Sequence, residues 1–458
     1  MTITYDVTAF YLGEPSMSGH EVYLNARDLS NEEPDKQVHV ILKKNKHGRV
    51  LASSLEVAFS QIMRLFLAPG LTPTQHLVVD SSKTIWGMAV EHMCYVIAKK
   101  EGISASFYTL EQPEQCRVEL KKVSQAEEIP FYFLNALPQG FFARLIKPEN
   151  GLSLDYESLA NIMATSYTLE EDDLHKGNFG FYILKSDTKK LVRFFKIDHD
   201  LMFIDSIMSF CSARFFHWGQ SEHAFDITEK DVLDFPNLKD SANSYWPTRK
   251  SRLIHPFNQD KEYRTEEEVQ AFASLSQHPD FIKAKWTAFY KHILLSEASI
   301  HESLSVCFDE TDPYQRAQRS LILHATLLRQ ARLRAVLFSI KAFREFVSDM
   351  PVMDKASLLE IVSQSDATAK EALHQKMEGY SQGYYDFQEG DTPLHTAIRL
   401  GEYRCDETLQ MFGAYLNTAN ARGNKPLDLA LLMASKQGRN TANAQLAVAH
   451  IVQSGVED

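Results

Sequence analysis

The stretch DLHKGNFGFYILKSDTKKLVRFFKIDHD, residues 173–200, decides the fold. Two runs rich in β-branched and aromatic residues, Phe179–Leu184 and Leu191–Ile197, flank the polar turn KSDTKK and predict a β-hairpin. The hairpin separates two polar clusters, DLHKGN before its first strand and KIDHD at the end of its second. We expect these two clusters to converge into one site.

The two clusters contain the groups that phosphoryl transfer requires. The reaction needs a carboxylate near the acceptor, metal ligands and a cation on the nucleotide phosphates. Asp173 lies five residues before Asn178, the spacing at which a catalytic-loop aspartate orients the attacking hydroxyl and an asparagine binds Mg²⁺. Asp198 follows the second strand and can hold Mg²⁺ between the β- and γ-phosphates, because Mg²⁺ prefers oxygen ligands.

The preceding residues predict a small antiparallel sheet with one helix. Strands are predicted by β-branched and aromatic runs at residues 3–11, 21–24 and 38–42. An amphipathic helix follows at 51–67, and then a hairpin that turns at Ser81 and Ser82. From about residue 96 onward the pattern predicts mostly helices, apart from the hairpin already described, and a long helical stretch over 316–347.

The predicted sheet offers a cation for the nucleotide phosphates. Lys43 ends the run Val-Ile-Leu-Lys, and Lys44 is its rival because successive strand residues point to opposite faces. Glu56, on the following helix, can orient the lysine through an ion pair. Alternatively, Ser53 and Glu56 form a capping box that needs no catalytic role.

At these residues the chain resembles the kinase superfamily, and its phosphoinositide-kinase and aminoglycoside-phosphotransferase branches more than the protein kinases. DLHKGN resembles D-[RL]-H-x-x-N, IDHD resembles I-D-F-G, and VILK resembles V-A-I-K. The resemblance implies ATP and Mg²⁺ as cofactors and the following site residues: Asp173 and His175 as catalytic, Lys43 and Glu56 as nucleotide-binding, Asn178 and Asp198 as metal-binding. His175 has a structural alternative, and His199 and Asp200 depart from the Phe-Gly of the family.

Two similar octapeptides lie near the C-terminus, GDTPLHTA at 390–397 and GNKPLDLA at 423–430. Their prolines, Pro393 and Pro426, are 33 residues apart and suit the first position of a helix. The period and the motif resemble those of ankyrin repeats, whose leucines and alanines pack between helices. Two repeats are fewer than usually fold independently, so we expect them to pack against the preceding helices.

A basic cluster offers a place for an anionic acceptor. Arg249, Lys250 and Arg252 lie beside Trp246, and such a group of cations with an aromatic ring suits an anionic lipid head group or bilayer surface. The alternative for the same residues is a solvated surface loop.

The whole arrangement resembles the ankyrin-bearing phosphoinositide 3-kinase effectors that intracellular bacterial pathogens inject into host cells. That resemblance implies a bilobal α+β kinase-like fold, with an N-lobe at 1–95, a C-lobe at 96–310, a helical extension at 311–382 and ankyrin repeats at 383–458. It also implies phosphatidylinositol 3-kinase activity at host membranes, a host protein partner for the repeats, and delivery into the host cytosol by a secretion system.

Composition narrows the alternatives. The formal net charge of −12 argues against general nucleic-acid binding, which needs a basic surface. The chain shows neither a signal peptide nor an apolar run long enough to span a bilayer, and its five scattered cysteines fit a reducing compartment. Three alternatives stay open: a protein kinase with an ankyrin-recruited substrate, a small-molecule kinase of the aminoglycoside type, and a non-catalytic ankyrin adaptor with a pseudokinase core.

Overall fold

The computed structural model describes residues 4–16, 21–30, 37–147, 151–171, 174, 176–203, 227–237, 265–363, 390–401, 403–435 and 441–454. The chain forms two compact units. The first comprises Met1–Asp226, Asp234–Ala288 and Glu297–Thr326, and the second comprises Ile227–Leu233, Phe289–Ser296 and Leu327–Asp458. The fold is mixed α+β, with two sheets in the N-terminal half and helices after them.

The first sheet contains six strands in the order β1-β5-β6-β4-β3-β2. Their bounds are Thr4–Asp6 (β1), Phe10–Tyr11 (β2), Val22–Asp28 (β3), His39–Lys44 (β4), Gln75–Val79 (β5) and Ile85–Glu91 (β6). The predicted single strand at 3–11 is wrong, because Asp6 accepts a hydrogen bond from the Thr8 amide and caps a 3₁₀ turn that divides it. Its first part, β1, pairs parallel with β5, so the sheet is not purely antiparallel.

Helix α1, Val50–Phe66, packs against this sheet. The sequence predicts an apolar face of Leu55, Phe59, Ile62, Met63 and Phe66; the last four are completely buried, and Leu55 is half-buried. Each large apolar side chain removed from water in this way contributes about 1.5–3 kcal/mol. The helix therefore has a fixed position beside the strand that carries Lys43.

A second sheet was not predicted. It has the order β10-β12-β11-β7-β8, with β9 also paired to β11. Its strands are Phe107–Gln112 (β7), Arg117–Lys121 (β8), Tyr132–Phe133 (β9), Leu152–Leu154 (β10), Phe179–Ser186 (β11) and Lys189–Lys196 (β12). Mostly helices do follow residue 96 in the described ranges, as expected, but the strands β7 to β10 were missed. Strands β7 and β8 are partly exposed, and their polar and charged residues hide the apolar alternation. The predicted hairpin is confirmed as β11 and β12.

Several helices follow β6 in the described ranges up to residue 305. Their bounds are Met93–Glu101 (α2), Phe141–Leu145 (α3), Tyr156–Thr168 (α4), Glu229–Asp234 (α5), Glu266–Leu275 (α6), Pro279–Leu294 (α7) and Glu297–Ser305 (α8). Helix α2 packs on the second sheet through Val96 and Ile97, which belong to one apolar cluster with Phe107, Tyr182 and Phe195. This cluster supports the strands that lead to the two polar clusters.

Three helices follow: Pro313–Ser339 (α9), Lys341–Asp349 (α10) and Val352–Ser363 (α11). The prediction of one helical stretch over 316–347 is wrong at Ile340, which is extended. Arg344 Nη1 donates to the carbonyl oxygens of Phe338 and Ser339 at 2.8 and 2.9 Å, so the end of α9 is satisfied where the chain turns. Within the described part of the chain, every helix is too short or too polar to cross a bilayer.

The C-terminal helices come in pairs. They are Pro393–Leu400 (α12), Cys405–Phe412 (α13), Pro426–Ala434 (α14) and Thr441–Gln453 (α15). The prediction that each proline occupies the first position of a helix is confirmed. His395 Nε2 lies 2.8 Å from the carbonyl oxygen of Asn424, which ties the start of α12 to the turn before α14.

Gly87 allows β6 to lie close to β4 at Lys43. A Cβ at this position would come within 2.1 Å of the Lys43 carbonyl oxygen and 2.9 Å of the Lys44 Cα. We expect Gly87→Ala to lower the free energy of unfolding by about 1–3 kcal/mol, because backbone must shift to admit the methyl group. Urea unfolding checks this against Gly413→Ala, whose Cβ would meet nothing within 4 Å. Equal losses in the two variants would contradict the expectation.

Candidate functional site

Lys43 lies between two carboxylates. Its Nζ is 2.7 Å from Glu56 Oε1 and 3.1 Å from Asp198 Oδ1. Strand β4 supplies the lysine, α1 supplies Glu56, and the segment after β12 supplies Asp198. Three residues that the sequence analysis placed in separate motifs therefore meet around one ammonium group.

The geometry separates Lys43 from Lys44 and decides whether Glu56 belongs to a capping box. Lys44 forms an ion pair with Glu21 at 2.5 Å on an exposed edge, so it points away from Glu56 and Asp198. The capping box at Ser53 is wrong because α1 begins at Val50, upstream of Ser53. The Ser53 hydroxyl instead donates to Asn45 Oδ1 at 2.7 Å, which leaves Glu56 to pair with Lys43.

The pKa of each charged group in the cluster depends on the charges of the other two. Burial alone would lower the pKa of Lys43, but the carboxylates of Asp198 and Glu56 outweigh it and raise that pKa. Burial opposes ionisation of Asp198, yet the adjacent Lys43 holds its pKa below the usual value. Burial raises the pKa of Glu56 against the opposing effect of Lys43, with Asp198 adding to the rise. Asp198 is therefore the carboxylate of the cluster that stays ionised most readily.

A buried lysine fixes the backbone at Asp198. Asp198 has a φ of +62°, a region that few residues other than glycine occupy. Lys196 Nζ donates to the carbonyl oxygens of Ile197 at 3.1 Å and Asp198 at 2.5 Å. The same ammonium forms an ion pair with Glu171, and both side chains are fully buried. Lys196 thus joins the Asp198 segment to the residues just before the DLHKGN cluster.

His199 directly follows Asp198 and is also fully buried. Its Nδ1 lies 3.3 Å from Lys196 Nζ, and its Nε2 lies 2.7 Å from Thr72 Oγ1. Because an ammonium only donates, Nδ1 must accept, and Nε2 carries the hydrogen that is donated to Thr72. Burial, reinforced by the charge of Lys196, lowers the pKa of His199 and keeps the ring neutral.

Asn178 is buried at the open end of the hairpin. Its carbonyl oxygen accepts a hydrogen bond from the Ile197 amide at 2.9 Å, and the pair Phe179 and Lys196 closes the ladder beside it. The hairpin therefore brings Asn178 and Asp198 to the same end, as the sequence analysis expected. The remaining predicted site residues lie outside the described residues: Asp173, His175, Arg249, Lys250 and Arg252.

Two carboxylate groups suit a divalent cation at this end of the hairpin. Asp200 Oδ1 is shielded from solvent and has no hydrogen-bond partner among the described residues, while Oδ2 lies 3.5 Å from Lys46 Nζ. Together with Glu56 and Asp198, Asp200 makes three carboxylates, which face the two lysines Lys43 and Lys46. Carboxylate and amide oxygens are the ligands that Mg²⁺ prefers, so the residues fit that metal. No three His, Cys, Asp or Glu side chains in the described ranges are grouped to hold a metal by themselves.

Sequence reasoning missed Lys196, Glu171 and Thr72. One signal was available for Lys196: a charged residue in the apolar strand run LVRFFKI needs a buried partner. No family model matches the chain, and no curated protein matches it.

Proposed function

We propose that this chain is an ATP- and Mg²⁺-dependent phosphotransferase with a kinase-like core. The observation that carries the proposal is the Lys43 ammonium held between Glu56 and Asp198 at 2.7 and 3.1 Å. A lysine fixed by a helix glutamate, beside a metal-binding aspartate, is the arrangement that positions nucleotide phosphates in kinases. Asp198 lies 155 residues after Lys43 in the sequence, so their meeting is not explained by local structure.

Each residue has a role in the proposed reaction. Lys43 binds the nucleotide phosphates, and Glu56 keeps its ammonium in place. Asp198 and Asn178 would hold Mg²⁺, which offsets the negative charge of the β- and γ-phosphates. The resemblance assigns Asp173 to orient the acceptor hydroxyl and to accept its proton, with His175 beside it.

The proposed acceptor is phosphatidylinositol, with phosphorylation at the 3-position. Support comes from the resemblance to ankyrin-bearing phosphoinositide 3-kinase effectors and from the basic cluster of Arg249, Lys250 and Arg252 in a chain of net charge −12. An anionic head group needs such a local group of cations. We further propose that the protein acts in the host cytosol and at host membranes after secretion by a bacterium.

The C-terminal helix pairs are proposed to be ankyrin repeats that bind a host protein. Support comes from the 33-residue spacing of Pro393 and Pro426, each of which begins a helix. Gly390 and Gly423 have φ values of +78° and +79°, so the turns before the two helices share a backbone conformation. Equivalent turns and helices at a fixed period are what a repeat protein requires.

The test incubates the purified chain with labelled ATP, Mg²⁺ and vesicles that contain phosphatidylinositol. We expect a monophosphorylated inositol lipid from the wild type and from Lys44→Met, and at least about a hundredfold less from Lys43→Met, which loses an electrostatic contact to the reacting phosphates. Lys44→Met is the matched control because Lys44 is the neighbouring residue with an exposed ion pair.

Other acceptors separate the alternatives. Label in host proteins but not in lipid would replace the lipid-kinase proposal with a protein kinase, and turnover stimulated by amino sugars would replace it with a small-molecule kinase. Failure of the wild type to bind ATP would reject phosphotransfer and leave the adaptor alternative.

A further inference from the structure

A cationic cleft lies in the first unit, and Thr72 is among the residues that line it. Its volume is about 540 Å³, and the residues lining it include Arg64 from α1 and Lys99 and Lys100 from α2. One carboxylate, Glu91, also lines it and forms an ion pair with Lys99. Three cations against one carboxylate leave a local charge of +2 in a chain whose net charge is −12.

The cations of the cleft are incompletely compensated. Arg64 is exposed, and its guanidinium has no hydrogen-bond or ion-pair partner in the described part of the chain. Partial burial lowers its pKa, and the charge of Glu91 opposes that shift. Lys100 Nζ donates to the Pro69 carbonyl oxygen at 2.8 Å, and its aliphatic stem packs over Gly70. Partial burial and the charge of Arg193 lower the pKa of Lys100, and the carboxylates of Glu101, Asp155 and Glu157 offset part of that shift. A bound anion would relieve the repulsion between these groups.

Thr72 supplies a neutral donor to the same cleft. Its side chain is 5% exposed, and its oxygen accepts the hydrogen of His199 Nε2. The Thr72 hydroxyl hydrogen then has no acceptor among the described residues. A buried hydroxyl without an acceptor is costly, so an anion oxygen at this position would satisfy it.

We propose that this cleft binds a phosphomonoester and that binding is communicated to Asp198 through Thr72 and His199. A phosphomonoester carries a charge of about −1.5 to −2 at neutral pH, which matches the local excess of +2. The cleft volume leaves room for a small organic group beside the phosphate. The cleft is separate from the proposed nucleotide site, so the binding step does not rest on the proposed function, whereas the effect on ATP does.

The communication follows a continuous set of contacts. Thr72 contacts His199, His199 contacts Lys196, and Lys196 holds the Asp198 carbonyl oxygen. The amide of Lys196 also donates to the Leu71 carbonyl oxygen at 2.8 Å, so residues 71 and 72 are bonded to Lys196 and to His199. An anion that orders Thr72 would therefore stabilise the backbone conformation of Asp198.

The binding test titrates the full chain with inositol 3-phosphate by calorimetry. We expect Arg64→Gln to weaken binding about tenfold, the loss of one hydrogen bond to a charged group, and Lys100→Gln to act in the same direction. Lys83→Gln, which removes an exposed lysine with an ion pair elsewhere, should bind like the wild type. Titration with inorganic phosphate, and sedimentation with vesicles containing phosphatidylinositol 3-phosphate, distinguishes a soluble from a lipid source.

The communication test uses Thr72→Val and Thr72→Ser. In the wild type we expect inositol 3-phosphate to shift the NMR signal of the His199 imidazole and to change ATP affinity; serine should retain both effects and valine should lose them. No binding by the wild type, or equal binding by Arg64→Gln and Lys83→Gln, overturns the site. Binding without a shift at His199 overturns the communication. If the wild type binds inositol 3-phosphate but not ATP, the proposed function is rejected and the anion site in the cleft is retained.

Discussion

Asp198→Asn should reduce phosphate transfer from ATP at least about a hundredfold while the chain stays folded. Asparagine has nearly the shape of aspartate and tolerates the positive φ of +62° at this position, so the backbone need not move. What is lost is the negative charge beside Lys43, and that charge would hold Mg²⁺ against the phosphates. The initial rate of ATP turnover at saturating Mg²⁺ measures the loss, and the thermal midpoint measures the fold.

The matched control is Asp187→Asn at the other end of the same hairpin. Asp187 is exposed and also has a positive φ, +51°, so the substitution is chemically and conformationally equivalent. We expect its turnover to equal that of the wild type. If the two variants turn over ATP at the same rate, Asp198 does not bind the metal of the reaction.

The hairpin and the Lys43 strand were predictable because each has a local signature. Residues 179–184 and 191–197 carry strand-forming runs around a polar turn, and the structure moves their bounds by two residues or fewer. The choice between Lys43 and Lys44 was not predictable, since alternation alone gives two faces and does not say which one α1 covers.

The second sheet and the Lys196 contacts depend on tertiary structure. Strand β8 is an edge strand with three of its five residues exposed, so little apolar periodicity marks it. Lys196 and Glu171 are separated by the DLHKGN cluster and a hairpin, and no local rule pairs them. A buried charge must have a partner, but the sequence does not say where along the chain that partner lies.

Lys196→Met should lower the free energy of unfolding by about 3–5 kcal/mol. Methionine fills a similar volume, but it leaves the Glu171 carboxylate fully buried without its cation and removes the donor to the Asp198 carbonyl oxygen. Urea unfolding followed by circular dichroism measures the loss. Lys189→Met, at the exposed start of the same strand, is the matched control and should change the stability little.

The loss of stability in Lys196→Met should depend on pH, because Glu171 can bind a proton. Burial already raises the pKa of Glu171 from its ordinary value of 4.5, and Lys196 opposes that rise. Without Lys196 the folded-state pKa rises further, so folding favours the protonated acid. The stabilisation that comes from protonating Glu171 is complete below pH 4.5 and is lost as the pH rises through the folded-state pKa.

The deficit of Lys196→Met should therefore shrink as the pH falls toward 4.5, and Glu171→Gln/Lys196→Met should recover much of the stability at neutral pH. A deficit that is independent of pH and persists in the double variant would mean that lost packing, and not the buried charge, causes it.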